Sequence, residues 1–171
     1  MKKISLMSLI LVMVLMVGCG VKENSADTKT INIAFSKVGF DASPEEVTNT
    51  YGNPNKKEME KGGGVSYTYS SDYLNKDGEI TYFFDSTGKM AMVQWNYHFS
   101  SIDDGVETLD ALRENIRNLH GEEDGKMVDD DSVSLHWNSP SIQIVYLNNN
   151  ASKFISCEYF NPDFDGNPFD L

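Results

Sequence analysis

The side chains able to do chemistry are few and widely separated. His98, His120 and His136 are the only imidazoles, and no two stand four residues apart, the spacing that sets paired zinc ligands on one helix face. No strong metal site follows. His98 and His136 alternate onto one strand face, where they meet water or a partner, and His120 ends a helical segment, where an imidazolium interacts favourably with the helix dipole. Asn161-Pro162-Asp163-Phe164-Asp165-Gly166 places oxygen ligands two apart with glycine sixth, as in the first half of a calcium loop. The bidentate acid required at position twelve does not follow. A weak calcium contact at Asp163 and Asp165 therefore stands beside the simpler expectation of a polar tail. Glu122-Glu123-Asp124 and Asp129-Asp130-Asp131 read as solvated loop charge. Gly88-Lys89 lacks the glycine spacing of a phosphate loop, and no serine or cysteine nucleophile motif is readable. Because nucleophile, base and oxyanion donors cannot be nominated together, the expectation is a non-enzymatic protein without a cofactor.

The two cysteines carry different messages. Lys2 and Lys3 precede an apolar stretch from Ile4 to Val17, broken only by Ser5 and Ser8, the pattern of a secretory signal. It is shorter than the roughly 20 apolar residues that a membrane span needs. The stretch ends in Met16-Val17-Gly18-Cys19, which resembles the lipobox of bacterial lipoproteins, with Met16 where leucine is usual. That resemblance implies a signal peptide over residues 1–18, cleavage before Cys19, and a diacylglycerol thioether on Cys19. At about 0.8 kcal/mol per buried methylene, two acyl chains hold a soluble domain on a bilayer where one is marginal. The expected location is the extracytoplasmic face of a cell membrane. Residues 19–30 are polar and unpatterned, and as a flexible tether they would span on the order of 20 Å. A lipidated Cys19 leaves Cys157 without a disulfide partner, and its place in an alternating strand favours an inert buried thiol.

Charge narrows the partners further. The chain carries 14 basic and 26 acidic residues, and without the two leader lysines the balance is 12 against 26, a net −14. Such a chain repels phosphate backbones, so nucleic-acid binding is excluded. It also disfavours a polybasic grip on anionic lipid.

The elements that must position these residues read as α+β. Two tandem copies, at about 31–98 and 99–160, each contain a helix and three or four strands, together forming one antiparallel sheet with helices on one face. The single globular domain spans 31–162, and 163–171 forms a polar tail. Ser43-Pro44-Glu45-Glu46 predicts a capped helix start, with Gly52 and Pro54 ending it. In the second copy Val106, Leu109, Leu112, Ile116 and Leu119 recur at helical spacing, leaving Asp110, Glu114 and Arg117 for water. Three strands are expected after each helix, with Asp77-Gly78 as a turn and a left-handed asparagine in Asn148-Asn149-Asn150. If Asp85 faces Met90, then Ile80, Tyr82 and Phe84 share an apolar face with Ala91, Val93, Trp95 and Tyr97. The opposite face is mixed. It collects Phe83, Met92, Gln94, Asn96, His98, His136, Phe154 and Phe160.

Phe35-Ser36-Lys37-Val38-Gly39, then Ser43-Pro44-Glu45-Glu46-Val47 and Tyr51-Gly52-Asn53-Pro54 before tyrosine-rich strands, resembles the repeat of β-lactamase-inhibitor-protein-like domains. The small lipoproteins of the outer-membrane barrel-assembly machinery are similar in this element. Both groups imply helices on one face of an antiparallel sheet and a role in binding other proteins; β-lactamase inhibition is not carried over. The leading expectation is a membrane-anchored module that holds an envelope or extracellular protein on its mixed face, with Phe83, Met92, Phe154 and Phe160 partly exposed. The alternative is a small-ligand or cell-wall-binding lipoprotein, with Trp95 and Trp137 in an aromatic pocket.

Overall fold

The structure, a computed structural model, describes residues 31–171; the expected signal peptide, Cys19 and the expected tether to residue 30 lie outside the described residues. Helix α1 (Pro44–Tyr51) precedes β1 (Lys56–Met59), β2 (Val65–Tyr73), β3 (Lys76–Phe84) and β4 (Met90–His98). Helix α2 (Ile102–His120) precedes β5 (Gly125–Val128), β6 (Ser132–Asn138), β7 (Ser141–Asn148) and β8 (Lys153–Phe160). One antiparallel sheet of eight strands results, in the order β1-β2-β3-β4-β8-β7-β6-β5. The chain is α+β.

Local sequence accounts for most of these elements. The Ser43 amide donates to Glu46 Oε2 at 2.7 Å, and the Glu46 amide donates to Ser43 Oγ at 3.3 Å, so each side chain satisfies an amide that the first turn leaves bare. Gly52, at φ 84°, closes α1 through its amide on Thr48 O. The β2–β3 hairpin turns through Leu74 and Asn75, both with positive φ, a two-residue turn whose twist matches the strands. Asp77-Gly78 is therefore not the turn. Gly78 lies inside β3, where an added Cβ would come within 2.8 Å of Trp95 Nε1 and 2.6 Å of Asn96 O. The β3–β4 pairing is as predicted at Ile80–Trp95 and Tyr82–Val93, then shifts so that Phe84 faces Met90; Ala91 is the extra residue of a bulge. The three asparagines at the end of β7, Asn148 to Asn150, stay out of the positive-φ region. Asn149 Oδ1 accepts from the Ala151 and Ser152 amides instead, at 2.9 and 2.8 Å. Strands β1 and β5 are extra to the three expected in each half, and neither shows the alternation that would announce it.

The predicted apolar face forms the core. Ile80, Tyr82, Phe84, Val93, Trp95, Ile144, Ile155 and Tyr159 are buried in one cluster with Val47 of α1 and Leu112 and Ile116 of α2. Phe35 sets its ring edge-on to Tyr73 and Tyr159, and the Ser36 hydroxyl bonds Tyr82 Oη at 2.8 Å. The predicted stripe on α2 is rotated: Val106 and Leu119 are exposed, and Gly105 and Thr108 are buried in their place. The reason is Phe99, whose ring lies where a Gly105 side chain would be, 2.9 Å from an added Cβ. Gly105→Ala is expected to lower stability by about 1 kcal/mol, because overpacking of about 1–3 kcal/mol exceeds the gain of about 1 kcal/mol in helix propensity. A urea midpoint that rises in this variant would show that Phe99 yields freely.

Two charged ties hold α2 to its surroundings, and the first replaces an expectation of solvated charge at Glu123. Glu123 accepts from Arg113 and, at 2.7 Å, from Arg117 Nε; its side chain is 9% exposed. At the other end, Asp104 accepts from Lys76 Nζ and Tyr97 Oη, each at 2.8 Å, and from the Ser100 amide at 3.2 Å.

Candidate binding face of the sheet

The face turned away from the helices can be read row by row from the register. Thr68, Thr81, Gln94, Glu158, Gln143 and His136 lie side by side across six strands. They form a polar stripe. Gln94 Nε2 donates to Glu158 Oε1 at 2.8 Å and to Ser156 Oγ at 3.1 Å, the Thr68 and Thr81 hydroxyls meet at 3.1 Å, and Gln143 Nε2 donates to Ser134 Oγ at 3.3 Å. These bonds fix side chains that would otherwise lose rotamer freedom on meeting a partner.

Apolar groups flank the stripe on both sides, in different states. On one side Phe83, Met92 and Phe160 are neighbours in register, and residues 161–171 come back over this end. Phe169 packs edge-on against Phe160 at 6.0 Å. The Gly62 amide donates to Leu171 O, and Leu171 is 7% exposed against Gly64. Met92, expected to be partly open, is consequently 3% exposed. It is buried outside the main core. Phe83 and Phe160 stay half-buried.

On the other side lie His98, Phe154, Val145, Leu147 and, at the edge, Met127. His98 pairs with Phe154 across the β4–β8 seam, with ring centroids 6.2 Å apart. His98 is exposed, and Asn96, Phe154, Val145 and Leu147 are half-buried. Among the described residues, the tail's ring contact falls on Phe160 and not on this side. His136 is exposed three strands away, its ring lying over Gly125, where an added Cβ would meet it at 2.1 Å. The two histidines share a face without converging, since Phe154 is His98's neighbour and Gln143 is His136's. Among the described residues, no group of three or more His, Cys, Asp or Glu side chains could hold a metal ion.

The remaining candidates have structural partners. Asn161, the first residue of the calcium-like run, donates from Nδ2 to Met90 O at 2.6 Å and accepts from the Asp163 amide at 3.0 Å; it serves as a hinge peg for the returning tail. His120 Nε2 lies 3.0 Å from Asn32 O and 3.1 Å from Tyr159 Oη. Cys157 is a free, fully buried thiol, and burial pushes it well above the usual thiol range. Trp95 and Trp137 are 0% and 3% exposed, both in the core. The cleft beside His120, about 380 Å³ in volume, is lined by Asn32, Leu119, Asn138, Pro140 and Pro162 and by neither indole.

Neither a family model nor a curated protein matches the chain. A crystal structure of a DUF4309 family protein, YjgB from Bacillus subtilis subsp. subtilis str. 168, is similar in part. The TM-score is 0.43 at 6% identity, over 76% of this chain and 87% of that one. The signal that sequence reasoning missed was in the tail. Phe164, Phe169 and Leu171 are too apolar for a segment left wholly in water, and their spacing resembles that of no regular element.

Proposed function

We propose that this chain is a membrane-anchored, extracytoplasmic lipoprotein that acts without catalysis, holding an envelope or extracellular protein on the open half of its sheet. The anchor in this reading is Cys19, freed by cleavage after Gly18, with residues 19–30 as tether. The observation that carries the binding role is the division of the face. The tail occupies the Phe83–Met92–Phe160 end, while Phe154, Val145 and Leu147 stay accessible beside Asn96, His98 and a pre-bonded polar stripe. Apolar anchors amid adaptable polar groups suit a protein partner. We further propose that the domain arose from two copies of one unit. A helix followed by four strands occurs twice, both helices end at a positive-φ glycine, and the halves meet at the β4–β8 seam.

The test is crosslinking in the protein's own cells. Phe154→Asp is expected to lose the captured partner at least tenfold while its melting temperature stays within a few degrees, since a half-exposed position tolerates the change. Equal capture by wild type and variant would overturn the face. Cys19→Ser is expected to leave the membrane fraction, and its retention there would overturn the anchor. The small-ligand or cell-wall-binding alternative draws support from the cleft beside His120, and partner capture insensitive to Phe154 would favour it.

A further inference from the structure

The two ends of the sheet are short strands with exposed apolar side chains. Met59 on β1 and Met127 and Val128 on β5 are 73%, 63% and 61% exposed; with Phe169 they are the most exposed large apolar groups among the described residues. Each edge strand has four residues. Because eight strands alternate in direction, β1 and β5 run antiparallel to each other. A second copy set beside β5 therefore offers its β1 in the antiparallel sense without being turned over, and the open faces stay on one side.

Backbone direction and charge then select a register. The Glu60 amide donates to Gly64 O and the Asp129 amide to Ser132 O, so both residues spend their backbone groups on their own sheet. By alternation, Lys57 and Met59 on one edge and Lys126 and Val128 on the other direct theirs outward. Setting Met59 opposite Lys126 and Lys57 opposite Val128 pairs those groups, keeps side chains on matching faces, and brings Lys56 opposite Asp129. Sliding by two residues one way opposes Lys126 to Lys57. Sliding the other way opposes Asp129 to Glu58. Only the first register avoids like charges, which are destabilising when directly opposed.

We propose that a second copy of this chain docks edge to edge, β1 of one against β5 of the next. Lysine and short length protect sheet edges from indiscriminate pairing. Of the possible edge contacts only the unlike one sets Lys56 opposite Asp129, which favours it over β1–β1 and β5–β5. The contact is heterologous and does not close on itself, so copies add in a row. A four-residue seam is small and the contact is weak. It matters where copies are crowded.

The test uses full-length protein in detergent and two single variants, Glu58→Cys and Met127→Cys. These positions face each other in a non-hydrogen-bonded pair, with Cα atoms about 4.5 Å apart, within reach of a disulfide. Mixed under a mild oxidant, they are expected to form the 58–127 product about tenfold above the 58–58 and 127–127 products. Asp129→Lys in the Met127→Cys chain is expected to remove that excess, and Lys56→Asp in its partner to restore it. A statistical product ratio, or an excess indifferent to Asp129→Lys, would overturn the proposal. Because the experiment reads only β1 and β5, its failure would leave the open-face reading and the anchor untouched.

Discussion

Trp95→Ala is expected to cost about 3–5 kcal/mol, the range for removing a large aromatic from a packed core. The indole is fully buried in the second of the four central strands. Tyr73 meets it edge-on at 5.3 Å and Tyr97 stacks on it at 6.0 Å. Its Nε1 has no hydrogen-bond partner among the described residues, so the loss is one of packing and cavity formation rather than of a polar bond. Gly78 leaves room for the ring, and Gly78→Ala is a smaller version of the same experiment from the opposite side. Chemical denaturation monitored by circular dichroism measures both. A Trp95→Ala loss below about 1 kcal/mol would mean that Tyr73 and Tyr97 collapse into the vacated space, against the close packing expected of an interior.

The second large effect is a loss of stability in acid. Hydrogen bonding from Arg113, reinforced by Arg117, holds the Glu123 carboxyl down at about 2, and bonding from Lys76 and Tyr97 does the same for Asp104. Both values lie below those of the unfolded chain, so the native state favours the ionised form. The stabilisation is complete above the ordinary carboxylate range and is lost as pH falls from about 5 toward 2. The expected loss between pH 7 and pH 3 is about 1 kcal/mol or less from each group, after discounting for partial exposure of the partners. Thermal unfolding of wild type and of the Asp104→Asn, Glu123→Gln double variant at both values separates this from general acid effects. The double variant is expected to be less stable at pH 7 and to change less on acidification. An equal acid loss in both proteins would assign the sensitivity to other carboxylates.

These two sites mark what the chain made legible. Trp95 could be placed on the buried face from period-two alternation, because Ile80, Tyr82, Val93 and Trp95 stand two apart on strands joined by a readable turn. The capped start of α1 was equally legible, because Ser43 and Glu46 bond within three residues. Asp104 and Glu123 were not. Their partners are 28 residues away for Lys76 and 10 and 6 for Arg113 and Arg117, and no local period links an acid to a base that only folding brings near. The same limit governs the candidate face. Phe154 and His98 could be assigned to it from strand parity, but Met92 changes from open to buried because a segment some 70 residues further along the chain returns over it, a step that no local pattern records. Strands β1 and β5 escaped detection for another reason: an edge strand has only one neighbour to pack against, and its side chains need not alternate in polarity.

The β4–β8 seam also sets an order of events. Each set of four strands can zip through short hairpins, whereas Met92 meets Phe160 only after all of α2 and three further strands have been placed between them. Closing that long loop costs more entropy than any hairpin, so the seam is the late step of folding. Until it closes, β4 and β8 both offer bare hydrogen-bonding rims beside Val93, Trp95, Ile155 and Tyr159. A chain emerging amino end first exposes its stickiest strand while the remainder is still being delivered, and that interval is when misassembly by swapped halves competes with the native fold.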